Sequence, residues 1–282
     1  MNFIAIALAA VTVGTWNGQW FPSGRAEHRA LAEVEARTIA EAGKMLREGL
    51  KKADPSGTND VILCLNEIRG PKVAKALCDA IGRTNLNVAV VSGYRRRDRF
   101  DQQQDVIATT LPVAEAKWSR WKNARAMTPP RGYARARIVV SPTVTATVYA
   151  VHLKSNYAQT NDDIAYTNRV KRAKAVGQIV EQEAQRRGRP RSPVVVAGDF
   201  NADCWSESFK ADTIFAQFGE AGFANALSLL PATERVTHPR RGKWGDSALD
   251  YIMFRGLSPR GIPVIVPSGG VSDHNAVFQT FE

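Results

Sequence analysis

A carboxylate and an amide stand two residues apart after a short apolar run near the three-quarter point of the chain. The run is Val194–Ala197, Gly198 interrupts it, and Asp199 and Asn201 follow. Residues two apart in an extended backbone project to the same side, so these two side chains face one way. Such groups are costly to place at the end of a buried strand for packing alone. A carboxylate can orient a water molecule, and an amide can hold the oxygen that the water attacks.

The same pattern, polar residues at the end of a short apolar run, recurs along the chain. Each occurrence alone has an ordinary explanation as a turn cap, a helix start, a core histidine, an edge charge or a surface turn. Six independent occurrences together make a poor core but a suitable hydrolytic site. The positions are Asn17, Glu67, His152, Asp199 with Asn201, Asp250, and Asp273 with His274.

The elements that must position these residues alternate between strands and helices. Hairpin and crossover connections both occur, which favours mixed sheets with outer helices. The predicted strands are 11–16, 61–65, 87–92, 105–110, 136–140, 144–153, 194–197, 248–254 and 271–281, and the predicted helices are 25–52, 71–81 and 163–187.

The composition is that of a globular protein. The chain has 282 residues, 44% of them hydrophobic and 23% charged, which suits one large α/β domain. Its net charge of +11 favours a polyanionic partner, such as nucleic acid or an anionic membrane surface, over a small acidic metabolite. The plainer alternative is a basic protein without such a partner. The three cysteines form no metal-type pair, and no disulfide framework is expected.

The amino terminus allows two interpretations. Residues 1–10 are apolar enough for a secretion signal or its remnant, with Ala7-Leu8-Ala9 as a cleavage site, but they carry no Lys or Arg. The apolar stretch favours a secreted or periplasmic protein over a cytoplasmic one, although the missing basic residues argue against it. Residues 11–282 are expected to form a single domain. No other apolar segment approaches the ~20 residues of a membrane-spanning helix. Nothing in the sequence indicates an oligomeric state.

These blocks resemble the endonuclease/exonuclease/phosphatase superfamily, in its deoxyribonuclease I-like form. The resemblance covers nearly the whole chain and is most specific at 198–201 and 272–274, with further likeness at 152–155 and up to Cys204. It implies an α/β fold, a four-layered sandwich of two packed mixed β-sheets flanked by helices. Asn66 stands where the family usually has Gln, directly before the metal-binding Glu. The acid that pairs with one histidine in deoxyribonuclease I has no clear counterpart, although Asp98 and Asp101 are candidates.

The resemblance implies a metal half of the site. Glu67 is the main metal carboxylate, and Asn17 and Asp273 assist it. Phosphodiester hydrolysis needs a cation that neutralises phosphate oxygens. Oxygen ligands suit Mg²⁺, with Mn²⁺ or Ca²⁺ as alternatives.

The resemblance also implies a catalytic half of the site. Asp199 orients or deprotonates the attacking water, and Asn201 holds the phosphoryl oxygen. His274 contacts the scissile phosphate and Asp250 orients its ring. His152 donates to the phosphate or protonates the leaving group. The reverse division, with His152 as base and His274 as acid, stays open.

Two basic stretches bear on the substrate. Arg95 and Arg97 lie in a loop between strands, and Arg240 and Arg241 precede Trp244. Basic residues beside an aromatic suit a groove that follows a phosphate backbone, whereas the alternative is a solvated loop. The sequence thus predicts a metal-dependent nuclease acting on DNA or RNA. The alternatives are a phospholipid or sugar-phosphate phosphodiesterase of the same superfamily and a binding scaffold that no longer cuts.

Overall fold

The structure, a computed structural model, describes residues 10–24, 31–96, 99–100, 103–122, 127–156, 162–186, 192–239 and 245–282. In chain order, its strands are β1 (Val11–Phe21), β2 (Asp60–Ile68), β3 (Asn87–Val91), β4 (Arg95–Arg96), β5 (Arg99–Phe100), β6 (Gln104–Thr109), β7 (Val113–Arg120), β8 (Gly132–Ser141), β9 (Val144–His152), β10 (Val194–Asp199), β11 (Ala224–Asn225), β12 (Asp250–Arg255), β13 (Pro259–Val266) and β14 (Ala276–Phe281). The helices are α1 (Ala32–Ala53), α2 (Pro71–Ile81), α3 (Asp162–Ala184) and α4 (Ile214–Glu220).

Two mixed six-stranded sheets carry these elements. The first has the order β13-β14-β1-β2-β6-β3, and only β1 and β2 run parallel within it. The second has the order β11-β12-β10-β9-β8-β7, with β9 and β10 as its parallel pair. Because each parallel pair ends together, β1 with β2 and β9 with β10 present their carboxyl ends as neighbours.

The side chains of β2 show how the layers stack. Ile62 and Cys64 belong to the core shared with the second sheet, whereas Leu63 and Leu65 pack with residues of α1 and α2. Alternate residues of a strand point to opposite faces, so β2 is buried on both sides. Residues of α3 and α4 pack against the second sheet. The result is the predicted α/β sandwich of four layers: helices, sheet, sheet, helices.

Local signals in the sequence fix the bounds of α2. It begins at Pro71, where the missing N–H costs nothing, and ends before Gly82, whose φ of 68° terminates the helix. The prediction for this helix, 71–81, is confirmed.

Other predicted bounds were wrong by a few residues. β1 continues past Trp16 to Phe21, and β2 continues past Leu65 to Ile68. Polar residues that we expected after these strands therefore lie within them. Asn17 is held by Asp199 of the other sheet, whereas Glu67 is held by Asn17 and Trp20 of its own sheet. The last two strands were predicted to begin too early, because 248–249 and 271–275 form irregular segments that hydrogen-bond around the site.

Five of the described strands were not predicted: the two-residue strands β4, β5 and β11, and the longer strands β7 and β13. β7 has mostly exposed, partly charged side chains, and β13 begins with prolines and glycine, which argue against a strand in sequence. Both lie at sheet edges, where such residues are tolerated.

Cys64, Cys78 and Cys204 are free thiols. Among the helices within the described ranges, none has both the length and the apolar character needed to cross a membrane.

Candidate active site

Three ionisable side chains lie side by side at the carboxyl end of β10. Asp199, its last residue, is in register with His152 on β9 and with Asp250 on β12. Side chains of cross-strand partners share a face of the sheet, so the register alone brings them together. Their exposed fractions are only 2%, 3% and 0%, respectively.

The first sheet contributes an amide and a carboxylate. The Asn17 side-chain nitrogen donates to Asp199 Oδ2 at 2.8 Å and to Glu67 Oε1 at 3.3 Å. The other Glu67 oxygen accepts from the backbone N–H of Trp20 at 2.9 Å. Glu67 has a φ of 57°, which is uncommon for a residue with a side chain and is typical of constrained functional positions. Asn17 therefore joins the two sheets at the site.

His152 lies between both carboxylates. Its Nε2 is 3.6 Å from Glu67 Oε1 and 3.5 Å from Asp199 Oδ2, longer than a good hydrogen bond. Within the described residues, its Nδ1 has no hydrogen-bond partner. Burial, and then the positive charges of Arg131 and His274, hold the pKa of His152 well below its usual value. The imidazole is therefore neutral near pH 7.

The pKa of His274 is raised, whereas that of His152 is lowered. The Nδ1 atom of His274 lies 2.7 Å from Asp250 Oδ2, which also accepts from the Thr237 hydroxyl at 2.9 Å. Its Nε2 lies 3.9 Å from Asp199 Oδ2 and 3.8 Å from Asp273 Oδ1. Burial opposes the charged ring, but the three carboxylates outweigh it and raise the pKa of His274 to about 10. We therefore describe His274 as an imidazolium ion at neutral pH.

The surroundings of Asp199 act on the pKa of its carboxyl in opposite directions. Burial raises the pKa of its carboxyl to about 7; His274 and the hydrogen bonds from Asn201 N and Asn17 lower it, and Asp250 raises it. The Asn201 backbone N–H donates to Oδ1 at 2.8 Å and Asn17 donates to Oδ2, so both oxygens are fixed. A carboxylate fixed in this way beside two imidazoles is suited to orient a water molecule and to move a proton.

The sequence model of the Endonuclease/Exonuclease/phosphatase family matches residues 14–274. The chain belongs to this family. Its members are hydrolases that act on phosphodiester bonds and generally depend on a divalent metal. No curated protein matches the chain by sequence.

Solved structures of the family have a similar fold. Truncated TDP2 from Caenorhabditis elegans has a TM-score of 0.61 and 15% identity, over 96% of this chain and 97% of that one. Sphingomyelinase C from Streptomyces griseocarneus has a TM-score of 0.63 and 16% identity, over 97% and 99%. TDP2 from D. rerio, complexed with a single-strand DNA product, has a TM-score of 0.61 and 15% identity, over 97% and 99%. At such identities, the likeness is one of fold.

The residues predicted to hold the family's metal have suitable chemistry. Glu67 and Asp273 supply carboxylate oxygens, which Mg²⁺, Mn²⁺ and Ca²⁺ prefer. The amide of Asn17 already has partners on both atoms, since its oxygen accepts from Gln19 N at 2.9 Å. In the structure the Asn17 amide thus binds Glu67 and Asp199, and its ligation of a metal ion stays a prediction. Within the described residues, two sets of side chains could each hold a metal ion, because the ligand atoms inside each set lie within 4.8 Å of one another. One set is His238, Asp273 and His274, and the other is Asp199, Asp250 and His274.

Sequence reasoning missed a glutamine at the metal half. The Gln19 side chain donates to Asp273 Oδ2 at 2.7 Å and accepts from the Asp273 backbone N–H at 3.2 Å. His238 lies on the other side, with its Nε2 3.9 Å from Asp273 Oδ2. Gln19 lies two residues after Asn17, and that short spacing is the one signal that the sequence offered.

A second missed feature lies behind β10. The Asn66 side chain donates to Asp105 Oδ1 at 2.8 Å and accepts from the Asp199 backbone N–H at 3.0 Å. Asp105 also accepts from the Tyr94 hydroxyl at 3.1 Å. The position that departs from the family's usual Gln therefore links a buried carboxylate to the strand that carries Asp199.

The remaining predicted residues have mixed outcomes. The Asn201 amide donates to the Leu153 carbonyl at 3.3 Å, so it lies at the site, and its contact with a phosphoryl oxygen stays a prediction. Arg95 is exposed on β4. The other proposed substrate contacts lie outside the described residues, as do the two candidate acids: Arg97, Arg240, Arg241, Trp244, Asp98 and Asp101.

Proposed function

We propose that the protein is a divalent-metal-dependent phosphodiesterase and that its substrate is nucleic acid, DNA or RNA. The observation that carries the proposal is the placement of Asp199. One of its oxygens accepts from Asn17 and lies within 4 Å of both His152 Nε2 and His274 Nε2. Such a carboxylate between two imidazoles can serve water attack on phosphorus, and packing alone does not require it.

In this proposal, Asp199 orients the attacking water and accepts its proton as the new P–O bond forms. The leaving oxygen takes a proton as its own bond to phosphorus breaks. His274 carries a proton to give, and its positive charge faces the phosphate. His152 is neutral and serves as a hydrogen-bonding or proton-accepting group. These charge states support the assignment of His274 as the acid and of Asp199, with the neutral His152 beside it, as the base.

Glu67, Asp273 and Asn17 are the proposed metal-binding residues. When bound, the metal neutralises charge on the phosphate oxygens. Glu67 is held for this task, because Asn17 and the Trp20 backbone N–H each bind one of its oxygens. Gln19 similarly orients Asp273.

The net charge of +11 supports nucleic acid as the substrate, since its phosphates repeat along the strand. A phospholipid substrate is the alternative within the family. An activity screen separates the two, using double-stranded DNA, single-stranded DNA, RNA, sphingomyelin vesicles and bis(p-nitrophenyl) phosphate with Mg²⁺ or Mn²⁺. We expect cleavage of nucleic acid that stops in EDTA. Cleavage of sphingomyelin alone would overturn the nucleic-acid assignment, and cleavage that persists in EDTA would overturn the metal requirement.

The variant Asp199→Asn tests the central residue. It keeps the shape and loses the charge, so we expect turnover to fall by on the order of 10²–10⁴. Asp79→Asn, the same change on the exposed surface of α2, is the matched control. Metal binding is tested separately by titrating Mn²⁺ into wild type and Glu67→Gln. Equal Mn²⁺ affinity in the two proteins would remove Glu67 from the metal site.

A further inference from the structure

Lys154 lies in the segment that follows β9, next to His152, and three further basic residues lie around it. Arg131 donates to the carbonyl oxygens of His152 and Leu153, with its Nη2 at 3.1 and 2.9 Å. Arg172, from α3, donates to the carbonyl oxygen of Lys154 at 2.9 Å. Both arginines thus fix the backbone on which Lys154 stands. Lys171, the neighbour of Arg172 on α3, is close enough for its charge to lower the pKa of Lys154.

The acidic groups near this cluster act on its arginines, and one of them is Asp199, whose charge counteracts the lowering of the pKa of Arg172. Asp212 pairs with Arg172, whose guanidinium is fully buried, and Asp105 is the acid whose pKa responds to Arg131. Across the part of the chain that the structure describes, neither Lys154 nor Lys171 has a carboxylate within 4.0 Å of its ammonium group. Among the described residues, the Lys154 ammonium donates to the Ser155 carbonyl oxygen at 3.1 Å.

The position of Lys154 makes this excess charge costly. Lys154 is half-buried, and burial together with Arg131, Lys171 and Arg172 lowers the pKa of its ammonium. Like charges held together in a partly desolvated place are unfavourable unless an anion joins them. The charge of Lys154 also contributes to the lowered pKa of His152, so the cluster borders the catalytic group.

We propose that Lys154, with Arg131 and Lys171 around it, binds a phosphate group of a nucleic-acid strand next to the phosphodiester that is cleaved. The inference rests on the proposed function, because it needs a substrate that reaches His152. A nucleic-acid strand carries a phosphate on each nucleotide, so a neighbouring phosphate is always present. Sphingomyelin has a single phosphate and a cationic choline group, which this cluster repels.

Binding of a fluorescein-labelled single-stranded oligonucleotide in EDTA, followed by anisotropy across a range of salt concentrations, tests the site without cleavage. Lys154→Gln should raise Kd about 5-fold at 0.1 M salt and reduce the salt slope by about 0.7, the value for one phosphate contact on a single strand. Lys154→Arg should restore most of the affinity. Lys44→Gln, an exposed lysine on α1, is the control and should leave the slope unchanged.

A second arm uses cleavage. Lys154→Gln should lower kcat/KM for the oligonucleotide several-fold more than for bis(p-nitrophenyl) phosphate, which has no second phosphate. Equal losses on both substrates would place Lys154 at the scissile phosphate and overturn the proposal, as would an unchanged Kd and slope. Weakened binding to phosphatidylserine vesicles with unchanged oligonucleotide binding would assign the cluster to a lipid surface and also overturn it. Because the first arm needs no activity, an inactive wild type would count against the proposed function alone.

Discussion

Asp250 determines what His274 can do. The ring is nearly buried, and burial by itself favours the neutral form, yet Asp250 lies 2.7 Å from Nδ1 without exposure to solvent. The carboxylate orients the ring so that Nε2 faces Asp199 and Asp273. One residue therefore sets both the charge and the direction of the imidazole, as carboxylate–histidine pairs do in other hydrolases.

The variant Asp250→Asn removes that charge and keeps the shape. We expect kcat for the preferred phosphodiester to fall by roughly 10²–10⁴, because the imidazolium loses its main stabilising partner. Steady-state cleavage at pH 7 measures the effect, with Asp79→Asn as the control for an Asp-to-Asn change. A variant that retains more than a tenth of wild-type kcat would show that His274 does not act as a cation.

At the scale of elements, β2 and β6 support the strand that carries Asp199. Asn66 on β2 binds Asp105 of β6 through its amide nitrogen and the Asp199 backbone N–H through its oxygen. Asp105 is completely buried, and burial is the main cause that raises the pKa of its carboxyl to about 7. Asp105 therefore titrates in contact with Asn66, the residue that links β2 to the strand of Asp199.

The sign of the pH effect follows from that pKa. The folded state holds the Asp105 proton up to about pH 7, whereas the unfolded chain loses it near the ordinary value of 3.8. The stabilisation is thus complete below pH 3.8 and is lost as the pH rises to about 7. Asp105→Asn removes this dependence on pH. As the pH rises from 3.8 to about 7, the unfolding free energy of wild type should therefore fall relative to that of the variant by a few kcal/mol, on the order of 1.4 kcal/mol per pKa unit.

Urea unfolding in EDTA at pH 4, 5, 6, 7 and 8 measures this difference. Asp199 has a raised pKa too, but it is present in both proteins and cancels in the comparison. Asp79→Asn should give a curve parallel to that of wild type. If the Asp105→Asn curve is also parallel, Asp105 titrates normally in the folded protein.

The elements also show what the sequence could predict. Apolar runs and Gly or Pro signals predicted α2 and the buried strands, and polar residues at strand ends predicted most of the candidate site. The backbone of Glu67, with a φ of 57°, has no local signal, because the Trp20 N–H that binds its side chain lies 47 positions away in the chain. Asn201, with a φ of 52°, is different: its N–H makes a local bond to Asp199 Oδ1, and Asn tolerates this conformation better than most residues. The link from Asn66 to Asp105 joins residues 39 positions apart, so only the sheet pairing reveals it.

At the scale of the whole molecule, the site exists only where the two sheets meet. Asn17 and Glu67 come from the first sheet, and His152 and Asp199 come from the second. Gly198 lies at this junction with a φ of 144°. A Cβ there would collide with the Val151 carbonyl oxygen of β9 and lie 2.9 Å from Asn66 Oδ1.

Gly198→Ala should therefore lower stability and activity together. The rigid backbone of β9 must shift and the alanine must adopt an unfavourable φ, which we expect to cost about 2–5 kcal/mol of unfolding free energy. Activity should fall by more than the unfolded fraction explains, because Asp199 and its bond to Asn66 move with the strand. Gly177→Ala on α3 is the matched control: its Cβ would have only Gln217 Oε1 nearby, at 3.5 Å, and the helix should gain about 0.5–1 kcal/mol. Urea unfolding and cleavage assays on both variants measure these effects. A Gly198→Ala protein as stable and as active as wild type would mean that the close approach of β10 to β9 and to Asn66 does not set the geometry of the site.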